Sequence, residues 1–211
     1  CDVYLTIGED EPDYTAAQES AAACLELYGQ AQADSAQSLM AAQDYPAAVD
    51  VLIDGNAQLD KYGTFSAAID EKLAECCREY AAFALAEAES LAKLDKYTEA
   101  SAVLRECMDS HVGETEELLD AYEGYILLAE NKTSDDAITR ADGFYVSGDY
   151  ANAFTELETA AGLVEDPSLL EAAIRAMERR YASDMNAKAD ALVSGDRDKL
   201  SDAIALLTEA Q

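Results

Sequence analysis

Four stretches of this chain repeat one another: AAQDYPAAV at 41–49, KLDKYTEAS at 93–101, VSGDYANAF at 146–154 and VSGDRDKLS at 193–201. The Tyr positions stand 52 residues apart (Tyr45 to Tyr97), then 53 (Tyr97 to Tyr150), then 47 (Tyr150 to Arg197). Spacing of this kind restricts the chain to a repeat architecture, in which each unit buries its apolar stripe against its neighbours. Every stretch also carries the chemistry of a corner between two helices. Asp44, Asp149 and Asp196 stand one residue before the Tyr or its substitute, and Asp95 stands two before. An Asp in that place accepts hydrogen bonds from the free N–H groups of the next helix and meets the positive end of its dipole. Gly148 and Gly195 suit the end of the preceding helix, because glycine takes a positive φ without strain. Pro46 suits a first helical turn, where no N–H is needed.

The helices on either side share a frame. Three residues past the Tyr position come Ala48, Ala100, Ala153 and Leu200; seven past it come Leu52, Leu104, Leu157 and Ile204. Positions three, four and seven apart lie on one helical face. Upstream, Tyr28 and Tyr80 each lie 17 residues before their corner Tyr, and Tyr181 lies 16 before Arg197. Cys24, Cys76 and Met177 precede those tyrosines by four, and Ala21, Leu73 and Ile174 by seven. Tyr125, Ala121 and Leu118 fit the same frame, although Tyr125 is 25 residues from Tyr150. The extra residues point to a break in the helix around AENKTSDD at 129–136, a polar loop signal. Tyr28-Gly29 is a second candidate break.

The sequence therefore predicts an all-α chain. Residues 1–13 form an acidic N-terminal linker, and 14–211 form a single helical-repeat domain of about four helix-turn-helix units, 14–63, 64–113, 114–167 and 168–211. Each unit has a first helix of roughly 28–30 residues and a second of about 14, a length mismatch of roughly 45 Å against 21 Å unless the first is broken. Unit four is the expected cap.

Residues 139–167, TRADGFYVSGDYANAFTELETAAGLVEDP, resemble a tetratricopeptide repeat. The Gly-Asp-Tyr turn, Ala153, Leu157, Ala160 and the terminal Pro167 carry the likeness. It covers about 30 residues of each unit, and the period near 52 departs from the family's 34. The units look like the tetratricopeptide-like repeats of bacterial envelope and lipoprotein-type proteins. The resemblance implies an α-α superhelix, a solenoid acting as a non-enzymatic scaffold for a protein or peptide. It brings no catalytic residue and no cofactor. The alternative expectation is an extracytoplasmic small-solute-binding or sensory module of a larger membrane-anchored protein, which a closed apolar pocket lined by Tyr would favour.

Charge narrows the partners. The formal net charge is −30, with 44 acids against 14 bases. Such a surface repels nucleic acid and anionic lipid, and suits a basic partner. No base precedes Lys61, while residues 1–60 hold twelve acids; residues 167–199 hold six acids and six bases.

The opening Cys1 with its polar sequel resembles in part the start of a mature bacterial lipoprotein. That resemblance implies lipid attachment at Cys1 and an extracytoplasmic, membrane-anchored location. Cys24, Cys76, Cys77 and Cys107 lack C-x-x-C spacing and lean toward a reducing compartment instead. Cys24 and Cys76, at equivalent positions, are expected as small buried hydrophobes.

Other chemistry is thinly supported. Cys107 and His111 have a spacing of four that can place two metal ligands on one helix side, but the distance to Cys76 and Cys77 along antiparallel helices argues against a zinc site. His111 is the one histidine and better serves a helix C-terminus than a nucleophile. DGNAQLDKYG at 54–63 alternates oxygen ligands like a calcium loop but lacks the sixth-position Gly and the twelfth-position Glu. Asn131-Lys-Thr is a formal glycosylation sequon. Arg175, Arg179 and Arg180 are expected to pair with neighbouring acids such as Glu171.

Overall fold

A computed structural model describes residues 6, 7, 9, 11–113, 115–195 and 199–209. Among them there is no strand. Eight α-helices follow in order: α1 Tyr14–Ala41, α2 Tyr45–Asp60, α3 Ala67–Ala92, α4 Tyr97–Cys107, α5 Glu116–Val146, α6 Tyr150–Ala161, α7 Ser168–Gly195 and α8 Leu200–Glu209. A π turn, Met108–Val112, follows α4. Long and short helices alternate, and helices adjacent in sequence pack together: α1 on α2, α2 on α3, α3 on α4, α6 on α7 and α7 on α8.

The chain divides into two compact units, Cys1–Ile126 and Leu127–Gln211. In the first, Leu52, Leu59, Ile69, Cys76, Leu104 and Cys107 anchor the core. In the second, Ala137, Ala141, Tyr145, Leu157 and Leu170 do so. The shared frame explains both. Ala48, Ala100 and Ala153 are fully buried and let a short helix approach its long partner. Leu52, Leu104 and Leu157, also fully buried, fill the space beyond.

Three corners are built alike. Gln43 (φ 61°), Asp95 (φ 59°) and Gly148 (φ 84°) all take the left-handed conformation, two residues before the Tyr. Their N–H groups bond back to Met40, Ala92 and Tyr145 carbonyls. The next residue's N–H reaches five back: Asp44 to Leu39, Lys96 to Leu91 and Asp149 to Phe144. This pair of bonds satisfies the last carbonyls of one helix, and the following Tyr opens the next. Asp44 accepts from the Ala47 N–H, and Asp149 from the Asn152 N–H, each at 3.4 Å. Asp95 does not cap α4. It stands one place earlier, in the left-handed position, and its carboxylate accepts from the Tyr97 hydroxyl at 3.1 Å. Lys96 holds the cap position without a side-chain bond. Glutamine has no special tolerance of a left-handed backbone, so Gln43→Gly should stabilise the protein by about 0.5–1 kcal/mol and Gly148→Ala destabilise it by about 1 kcal/mol. Urea midpoints read both.

The helix breaks expected at 129–136 and at Tyr28-Gly29 do not occur. Both stretches lie inside unbroken helices, α5 and α1. In α5, the Thr133 and Ser134 hydroxyls donate to the Ala129 and Glu130 carbonyls four residues back, at 2.9 and 3.0 Å. Their polarity is spent along the helix rather than against it. Gly29 marks a close approach: a Cβ there would lie 2.2 Å from Ser66 Oγ at the start of α3.

The fourth frame also needs correction. Asp196 and Arg197 lie outside the described residues. Leu200 opens α8 as Tyr45, Tyr97 and Tyr150 open their helices, so the spacing there is 50 (Tyr150 to Leu200) rather than 47. Ala203 is buried in the place of Ala48, whereas Leu200 and Ile204 are 54% and 57% exposed. A slip of three residues is almost one helical turn, so the apolar pattern fits either frame.

Candidate functional site

Helices of unequal length leave a shelf where the long one outruns the short. In the first unit α3 has 26 residues, roughly 39 Å, against 11 in α4, roughly 17 Å. Part of the α3 face beyond α4 borders a groove of about 610 Å³. Ala81, Leu85 and Val112 form its apolar floor, each half-buried on the core. Arg78, Thr115 and Glu117 stand at its edge, with Ala82 exposed on the α3 side. A second groove, about 520 Å³, runs along α1 and the end of α2 past Leu25, Tyr28, Asp54 and Gln58. Small residues in α3 make the first groove: a larger side chain at 81 or 82 would fill it. Nothing in the sequence frame singled it out, because Val112 and Thr115 join it only through the π turn.

Two of the corner tyrosines, Tyr45 and Tyr150, make ring contacts across helices. They interlock successive helices. Tyr45 stacks on Tyr80, ring centroids 5.5 Å apart and nearly parallel at 7°. Tyr150 packs on Tyr181 at 4.8 Å, and Phe154 meets the same ring at 6.3 Å. In the second unit cations join the stack. Arg180 lies 4.2 Å over the Tyr145 ring and pairs with Asp142 at 3.1 Å. Tyr145 donates to Asp184 at 2.7 Å; burial, with that carboxylate beside it, pushes the phenol well above its ordinary range. Lys188 donates to the Tyr150 hydroxyl at 3.0 Å, which raises its own pKa. Arg175 pairs with Glu171, as its spacing predicted. Arg175 and Arg180 are thus paired with neighbouring acids, and Arg180 with a ring as well.

The cysteines divide. Cys24 is disulfide-bonded and only half-buried, so it is not the core residue its frame position suggested. Cys76 and Cys107 are buried free thiols. Burial, with neighbouring Cys77 adding to it, pushes both up to about 11. Unfolded, each ionises near 9. Between those values the unfolded chain gives up thiol protons that the folded chain keeps, so stability falls as pH rises. Urea midpoints should decline steadily from pH 9 to pH 11, and a Cys76→Ala, Cys107→Ala double variant should flatten the decline. Cys107 faces the core, and the side chain of His111 lies outside the described residues. Among the described residues no group of three potential ligands could hold a metal ion. The 54–63 stretch is helical as far as Asp60, and Asn56 there donates to Asp70 at 3.0 Å.

Cys1 lies outside the described residues. No described helix is long and apolar enough to cross a membrane. No family model, no curated protein and no solved structure matches this chain.

Proposed function

We propose that the chain is a non-enzymatic scaffold, a tetratricopeptide-like α-α superhelix that takes up a basic segment of a protein or peptide. The observation that carries this reading is the recurrence of one pair of backbone bonds behind a left-handed residue, at Gln43, Asp95 and Gly148. Repeated corners stack helix pairs, and stacked pairs leave open grooves. The shelf on α3 offers an apolar floor of Ala81, Leu85 and Val112 to a partner helix or extended segment. The net charge of −30 carried by the whole chain favours a cationic occupant. An extracytoplasmic setting, of the kind bacterial envelope proteins occupy, fits the disulfide at Cys24.

A library of 15-residue peptides, varied in Lys/Arg content and apolar spacing, tests the reading by fluorescence anisotropy. Amphipathic basic members should bind at 50 mM salt and weaken at least tenfold by 500 mM. Ala82→Trp should weaken the same peptides tenfold or more while leaving thermal unfolding unchanged. Binding that ignores both salt and Ala82→Trp, or a library with no binder, would overturn it.

A further inference from the structure

We infer that α8 is the contact surface for a second copy of this chain. The corrected frame carries the argument. Leu200 occupies the place of Tyr150, and Ile204 the place of Phe154. In the preceding pair those two positions both meet one residue, Tyr181 of the next long helix. Val49 and Leu52 are likewise buried in α2, and Leu104 in α4. In α8, Ala203 faces inward and is buried, but Leu200, Ile204 and Leu207 are 54%, 57% and 36% exposed. No helix of the described residues covers them. The positions that elsewhere hold one helix on the next are here open to water.

Two features point to a second copy as the occupant. The first is spacing. Leu200, Ile204 and Leu207 are separated by four and then three residues, the d-a-d interval of a helix-to-helix seam, with a β-branched residue at a and leucine at d. Such a stripe is complementary to itself, as a two-fold contact requires. The second is charge. Most of this chain would repel another copy, since residues 1–60 alone carry twelve acids and no base. Residues 167–209, which span α7 and α8, hold eight acids and six bases, a far smaller excess of acid. A contact through α8 brings together the segments that repel least.

The contact is weak. Three side chains cover on the order of a few hundred Å² per copy, below the roughly 800 Å² per partner of a stable interface. Sedimentation velocity on the 211-residue chain, from about 5 μM to 1 mM, should show a reversible rise from monomer toward twice the mass of 22.6 kDa. The association should strengthen at 500 mM salt, because screening removes repulsion between copies. Ile204→Asp should weaken it at least tenfold with unchanged helical circular dichroism. Asp202→Asn, on the same helix beside the stripe, should preserve it. A chain that stays monomeric to 1 mM overturns the inference, as does a dimer indifferent to Ile204→Asp.

Discussion

Gly29→Ala is expected to destabilise the protein by about 3 kcal/mol. The sign is the informative part. Alanine inside a helix ordinarily improves on glycine by roughly 0.5–1 kcal/mol, and Gly29 is central in the 28 residues of α1. Its surroundings reverse the outcome. The added methyl would sit 2.2 Å from Ser66 Oγ and 2.6 Å from Ser66 Cβ. Rotating the hydroxyl away relieves the first clash but not the second, so α1 and the start of α3 must separate. Ser66 is itself buried and makes no capping bond with its side chain. Ser66→Gly on its own should therefore cost little. Combined with Gly29→Ala it should recover at least half of the loss. A double variant as unstable as the Gly29→Ala single would show that the clash lies elsewhere.

Leu104→Ala should cost about 3–4 kcal/mol, and Ile204→Ala less than about 0.5 kcal/mol, in dilute solution. Both stand seven residues past a corner in the frame read from Arg197, where they would be equivalent. Leu104 is fully buried in the core beside Cys107, whereas Ile204 is more than half exposed. Removing buried methyl groups leaves a cavity as well as losing their transfer free energy. Removing exposed ones loses little. Equal losses in the two variants, measured by urea unfolding, would restore Ile204 to the core and remove the α8 stripe.

The corners were legible because their chemistry is local. A left-handed residue, an N-cap and a helix-opening Tyr follow within three positions, and each residue type has a physical reason to be there. The alternation of long and short helices followed from the same marks. What failed did so through context. Residues 129–136 read as a loop by composition, yet α5 runs through them, because hydroxyls can bond back along a helix as readily as break it. Tyr28-Gly29 read as a helix break and is a contact within a helix, which only the neighbour Ser66 could reveal. Asp95 read as a cap, but Lys96 displaces it by one place. The fourth helix break falls within 193–201 as read, but the frame carried into α8 from Arg197 is shifted to Leu200, because a slip of one turn leaves an apolar stripe looking the same. The α3 groove was invisible for a different reason: its walls come from residues more than twenty-five positions apart, joined by a π turn that no residue pattern announces.

The three matching corners tie two helices through a single shared residue, the one whose N–H closes the first while it begins the second. Neither helix can gain or lose a residue at that point without undoing both terminations. The links at 61–66 and 162–167, between one pair and the next, carry no such double duty. An inserted residue should therefore destabilise the protein more at 43–44, 95–96 or 148–149 than within 61–66 or 162–167, which sets the helix pair apart as the unit open to rearrangement.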